Sequence, residues 1–158
     1  MEHVEIERRF LIKDLPSDLD SYPSKSFEQG YLSINPVLRV RREEDDYFVT
    51  YKGRGKLLRE EYNLPLTEEA YEHLISKADG TVIKKRRYFI PLDNDLVIEL
   101  DIFEGNLSPL KIAEVEFSSE EEAMAFEPPD WFGREVTDEE KYSNSSLSRC
   151  GLPEDMQR

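Results

Sequence analysis

The chain has 158 residues, enough for one domain with a proper core, and its 35 acidic against 21 basic side chains give a formal charge of −14. That balance excludes a general binder of nucleic acid or anionic membrane, while aromatics at 11% argue against disorder. No segment has the apolar length of a membrane span or the pattern of a signal peptide, and the lone Cys150 excludes an internal disulfide and fits a reducing cytoplasm. With only His3 and His73 available a Cys/His zinc site is excluded, so any metal would be hard and oxygen-ligated.

Short alternating segments separated by turn residues predict antiparallel sheet, with strands near residues 3–11, 27–33, 37–43, 47–53, 57–64, 82–90, 96–104 and 110–117. In the first, "VEIERRFL" at 4–11 sets Glu5, Glu7 and Arg9 on one face and Val4, Ile6, Arg8 and Phe10 on the other. A short helical turn is expected within 14–22. Residues 43–46 and Asp93-Asn94-Asp95 read as hairpin joins. "GRGK" at 53–56 joins the fourth and fifth strands and lacks the spacing of a phosphate-binding P-loop.

Three helices interrupt the strands. Residues 67–79 begin with Thr67 as N-cap, carry one apolar stripe of Tyr71, Leu74, Ile75 and Ala78, and stop at Gly80. A capping box of Ser119 and Glu122 opens a second helix that ends before Pro128-Pro129. A third pairs Thr137 with Glu140 and spans about 137–149. No repeat or linker divides residues 1–158, which read as a single domain.

The same alternation carried through every strand collects ionic and polar residues on one face. They are Glu5, Glu7 and Arg9; Gln29 and Tyr31; Arg39 and Arg41; Thr50 and Lys52; Arg59, Glu61 and Asn63; Lys85 and Arg87; Glu99 and Asp101; and Glu114 and Glu116. The opposite faces are apolar and need helices as cover. The expected fold is therefore α+β and mainly antiparallel: an eight-stranded barrel, or tunnel, with a charged interior and flanking helices. Such an interior is costly unless its ions pair or meet a charged ligand. Strands three, four and six are cationic, whereas strands seven, eight and the start of strand one are anionic. That separation suits a polyanion bound together with a divalent cation.

These segments resemble a known family, the CYTH domain or triphosphate tunnel metalloenzymes, and bacterial tripolyphosphatases in particular. The likeness runs in order through "EIERRF" at 5–10, "QGYL" at 29–32, "LRVR" at 38–41, "TYK" at 50–52, "REEYNLPL" at 59–66 and "KKRRYF" at 84–89. It continues in "IELDIFEG" at 98–105, "AEVEF" at 113–117 and "EVTDEEKYSN" at 135–144, so it covers nearly the whole chain. The resemblance implies an eight-stranded tunnel that hydrolyses a triphosphate with magnesium or manganese. It implies Glu5, Glu7, Asp101, Glu114 and Glu116 as metal-side residues, and Arg9, Arg39, Arg41, Lys52, Lys85 and Arg87 as the triphosphate grip. It further implies catalytic duty for Arg9, Glu61, Lys85 and Asp101. The implied partner is a small-molecule triphosphate rather than nucleic acid or membrane, the implied setting is cytoplasmic, and a homodimer is compatible with it.

Two positions depart from the family's pattern. Arg9 stands where the E-x-E-x-K signature has lysine, keeping the charge but unable to give up a proton. Asn63 stands where many relatives carry a further glutamate. Inorganic triphosphate leads among substrates, with nucleoside and thiamine triphosphates open. The alternatives are a class IV nucleotidyl cyclase and a non-catalytic polyphosphate- or nucleotide-binding module.

Overall fold

The structure is a computed structural model that describes residues 6–53 and 60–156. Glu5, Arg59 and most of the "GRGK" join therefore lie outside the described residues. The strands are β1 (Ile6–Ile12), β2 (Ser24–Ile34), β3 (Val37–Glu43), β4 (Asp46–Lys52), β5 (Glu61–Pro65), β6 (Asp79–Pro91), β7 (Val97–Phe103), β8 (Lys111–Phe117) and β9 (Phe132–Glu135). They form one antiparallel sheet in the order β5-β4-β3-β2-β6-β7-β8-β1-β9. Among the described residues the sheet is not closed by hydrogen bonds between its edge strands. The expected hairpins are present, with Glu44 in the left-handed region between β3 and β4 and Asn94 and Asp95 there between β6 and β7.

The ninth strand corrects the expected eight. Residues after Phe132 do not lead straight into a helix. They pair with β1, Phe10 opposite Glu135 and Ile12 opposite Phe132. Thr137 accordingly does not cap a helix: its hydroxyl takes the backbone N–H of Arg9 at 3.0 Å and donates to Glu135 at 2.6 Å. The third helix, α3, is only Asn144–Cys150, with the Ser143 hydroxyl accepting from Ser146 N at 3.2 Å as its cap. The edge of β1 had donors and acceptors to satisfy, and a strand satisfied them where the local pattern favoured a helix.

The other two helices start where expected. Thr67 accepts from Ala70 N to open α1 (Glu68–Ile75), and Ser119 accepts from Glu122 N to open α2 (Glu120–Ala125). Within 14–22 a single 3-10 turn covers Leu19–Ser21. The first helix stops four residues earlier than its apolar stripe implied, and Gly80 is not its stop but sits inside β6. There a Cβ would come within 2.4 Å of the Ser148 carbonyl oxygen, so glycine at a left-handed φ of +70° lets α3 lie against β6. Among the described residues no helix is long and apolar enough to cross a membrane.

Both faces of the sheet are buried, by different means. On one, Phe10, Ile90, Ile98, Leu100, Val115 and Phe117 pack beneath α2, Phe126 and Phe132. Arg8 belongs to this apolar face because its guanidinium finds ample partners there. It donates to the Ala123 and Phe126 carbonyls at the end of α2, pairs with Glu135 at 2.8 Å, and lies over the Phe10 and Phe126 rings. On the other face Gln29, Thr50, Lys85 and Asp101 are all essentially inaccessible, although they come from four different strands. The Phe27 ring of β2 takes the Arg41 guanidinium of β3 and the Arg87 guanidinium of β6 at 5.4 and 4.9 Å. Polar residues so spread can all be buried only because the sheet curls and its own strands cover them.

Candidate active site

The curled inner face has an apolar end and an ionic end. At the apolar end Tyr31, Ile83, Phe103 and Ile112 pack with Tyr142 and Leu147 from the C-terminal segment. Tyr31 is thus a packed aromatic, 4% exposed. The remainder of the face carries the charges.

Its centre is a network on β6 and β7. Arg87 and Asp101 are directly opposite in register and bond in a bidentate fashion, Nε to Oδ1 at 2.7 Å and Nη2 to Oδ2 at 2.9 Å. Asp101 Oδ2 also meets Lys85 Nζ at 2.7 Å, and Arg87 reaches Glu99 at 2.5 Å. Lys85 and Asp101 are each 1% exposed. Burial pushes the Lys85 ammonium below its ordinary pKa, with Asp101 opposing and Arg87 adding to the shift. Burial works the other way on Asp101 but is outweighed by Lys85 and Arg87, which hold its carboxyl below the usual range. For Glu99, burial raises the pKa, Arg87 lowers it, and the Glu114 and Asp101 carboxylates add to the rise.

The anionic side is built by strand register. Glu7 of β1 is directly opposite Glu116 of β8, and Glu114 is directly opposite Glu99 of β7. Like charges facing across a ladder are destabilising unless a cation lies between them. Four carboxylates on three adjacent strands are the hard-oxygen donor set a magnesium or manganese ion takes. Among the described residues no three acidic or histidine side chains already close into a coordination cluster, and Glu5 lies outside them. Asp101 has both oxygens engaged by cations, Oδ1 by Arg87 and Oδ2 by Lys85 and Arg87.

The cationic side is β3 with β4. Arg39 is opposite Thr50, and Arg41 opposite Phe48 on β4 and Gln29 on β2. Arg41 pairs with Glu43 at 2.8 Å, yet burial and repulsion from Arg39 push its pKa down to about 10. The ion pair with Glu43 thus does not offset burial and the neighbouring Arg39 charge at Arg41. Lys52 stands opposite Glu61 at the β4–β5 edge. Asn63 accepts from the Thr50 hydroxyl at 2.6 Å and donates to Glu61 at 3.4 Å, so this amide tethers that edge. Glu61 makes no bond to Lys85 or Asp101 among the described residues, and the sheet order separates them.

Arg9 has partners the spacing could not reveal. It donates to the Tyr142 carbonyl at 3.2 Å and to the Thr137 carbonyl at 3.4 Å, while Lys85 Nζ meets Asn144 Oδ1 at 3.4 Å. Residues 136–144 therefore run along the ionic face. Asn144 and Tyr142 were not among the sequence candidates, and only their place in "EEKYSN" hinted at them.

An antiparallel sheet curled over an inner face of cationic and carboxylate strands defines a tunnel-type fold with a charged interior. The chain belongs to the CYTH domain family, whose profile matches residues 3–149. It is 41% identical over 148 residues to an inorganic triphosphatase of Nitrosomonas europaea, covering 91% of this chain and 96% of that protein. An inorganic triphosphatase of Acetivibrio thermocellus is 35% identical over 154 residues, covering 90% and 92%. The crystal structure of the inorganic triphosphatase NE1496 superposes with a TM-score of 0.75 at 38% identity, covering 92% of this chain and 95% of that one.

Proposed function

We propose that this chain is a metal-dependent hydrolase of inorganic triphosphate, releasing orthophosphate. The observation that carries the reading is the register pairing of Glu7 with Glu116 and Glu99 with Glu114 on the same inner face that carries Arg39 and Arg41. The relatives' name, inorganic triphosphatase, supports the same substrate.

Glu7, Glu114 and Glu116, with Glu5, would hold magnesium or manganese, which supplies charge neutralisation at the phosphate oxygens. Arg39, Arg41, Lys85 and Arg87 bind and orient the triphosphate. Lys85 is fixed by Asp101 and Asn144, and an ammonium has three donors, so one remains for a phosphoryl oxygen. Water attacks the terminal phosphorus, the P–O bond to the bridging oxygen breaks, and pyrophosphate leaves. The protein's part is placement and compensation of charge. Asp101 acts by holding Lys85 and Arg87, and Lys52 with Glu61 closes the grip at its edge. Arg9 keeps residues 136–144 seated, and its positive charge adds to the grip without serving as a base. A single cysteine suits a reducing cytoplasm for this enzyme.

The test is phosphate release from tripolyphosphate, ATP and thiamine triphosphate with magnesium or manganese, with and without chelator. Turnover of tripolyphosphate above the other two, abolished by chelator, is expected. Absence of turnover with all three, or turnover indifferent to chelator, would overturn the proposal.

A further inference from the structure

Gln29 lies in the middle of β2 between Phe27, which contacts Arg41 and Arg87, and Tyr31, which packs with Ile83 and Phe103. It therefore faces the interior where the ionic end meets the apolar end. Its register partners are Arg41 on one side and Ile83 on the other. It is 1% exposed, and neither its Oε1 nor its Nε2 has a hydrogen-bond partner among the described residues. Burying a primary amide with both ends unsatisfied is costly, and a folded protein keeps such a group where something else completes it.

The neighbouring groups say what is missing. Arg39 Nε and Arg41 Nε are also buried without a partner among the described residues. The cluster thus offers Gln29 Nε2 and two guanidinium nitrogens as donors, with Gln29 Oε1 as its one unused acceptor. Pairing Oε1 with either arginine still leaves the amide N–H groups and the other Nε in want of acceptors. A ligand that completes this set must be rich in acceptors, poor in donors and anionic. A phosphoryl group has that character, and its end-on entry is favoured because the apolar packing around Ile83 and Tyr31 ends the ionic face just beyond Gln29.

We infer that Gln29 is a substrate-binding residue: its Nε2 donates to a terminal phosphoryl oxygen of bound triphosphate while its Oε1 accepts the Arg41 Nε–H. The inference rests on the triphosphate reading above. It adds a neutral, directional donor to a grip otherwise made of cations. Triphosphate draws the arginines onto its own oxygens and completes the amide in the same event.

Two variants and the wild type test it, each measured for turnover of magnesium tripolyphosphate and for the melting shift that tripolyphosphate produces. Gln29→Met keeps the side chain's length and removes both polar atoms. Expected is a KM about tenfold higher and a smaller ligand-induced shift, while the ligand-free melting temperature holds or rises because unsatisfied groups are gone. Gln29→Glu keeps the acceptor for Arg41, removes the donor and adds a charge facing the phosphate. Expected is a KM at least tenfold higher, whereas a purely structural partner of Arg41 would leave KM unchanged on gaining an ion pair. Wild-type KM and ligand shift in both variants overturn the inference while the triphosphatase reading stands. If Gln29→Met does not fold, the KM of Gln29→Glu decides alone. A wild type that neither binds nor hydrolyses tripolyphosphate overturns both.

Discussion

Replacing Asp101 by asparagine tests how the interior tolerates its cations. Asparagine preserves volume and can still accept one hydrogen bond, so the perturbation is chiefly electrostatic. Asp101 is 1% exposed and holds Lys85 Nζ at 2.7 Å and the Arg87 fork at 2.7 and 2.9 Å. Removing its charge leaves a fully buried ammonium without another carboxylate in contact among the described residues, while Arg87 retains Glu99. Breaking a buried pair in this way costs about 3–5 kcal/mol. For a chain of this size that is roughly 6–20 °C in melting temperature. The carboxyl's pKa is lowered in the folded protein, so its stabilising contribution is complete above the unfolded value of about 3.9 and is lost as pH falls through the folded value. Asp101→Asn should therefore melt well below wild type at neutral pH, and that gap should narrow in acid below about pH 4. Calorimetry or circular dichroism across pH 2–7, with and without tripolyphosphate, measures both, and the ligand should recover part of the loss by meeting Lys85. A neutral-pH loss under about 1 kcal/mol, or a gap independent of pH, would refute the reasoning.

The remaining predictions concern other parts of the same interior. Glu7→Gln with Glu116→Gln should raise the magnesium concentration for half-maximal turnover at least tenfold, read from metal titrations of phosphate release, because a register pair of donors is lost. Since burial lowers the Lys85 pKa, its ammonium discharges below the usual lysine value of about 10.4. The alkaline limb of kcat/KM should fall early and move to higher pH in Lys85→Arg. Arg8→Ala should cost about 1–3 kcal/mol in denaturant melts with KM near wild type, because that guanidinium serves α2 and Glu135 on the outer face. Arg9→Ala should speed amide exchange in residues 137–144, where two carbonyls lose their donor, and raise KM by removing one interior charge.

Alternation was enough to assign the faces of the sheet, because successive strand residues point to opposite sides and the apolar set had to be covered. Hence Glu7, Arg39, Arg41, Lys85, Arg87, Asp101, Glu114 and Glu116 could all be placed on one face from sequence, and the hairpins and helix caps were equally local. Pairing between distant strands was not local. Which carboxylate faces which, Glu7 to Glu116 and Glu99 to Glu114, depends on register between strands that share no short turn in the first case and on the irregular connection through 104–110 in the second.

The misread C-terminal region has the same cause. "FGREVTDEE" offers a fair capping pattern, but the free edge of β1 outcompeted it by supplying backbone partners, and Thr137 was diverted to Arg9. The sequence by itself determined which residues are charged, which face they occupy and that the face needs an ionic partner. Only the tertiary structure decided that the face ends in a packed apolar wall, that Asp101 serves Lys85 and Arg87, that Arg9 holds Thr137 and Tyr142, and that Gln29 lies buried without a partner among the described residues. The physical reason is that periodicity carries orientation, whereas burial and bonding depend on what the curled sheet brings opposite each residue.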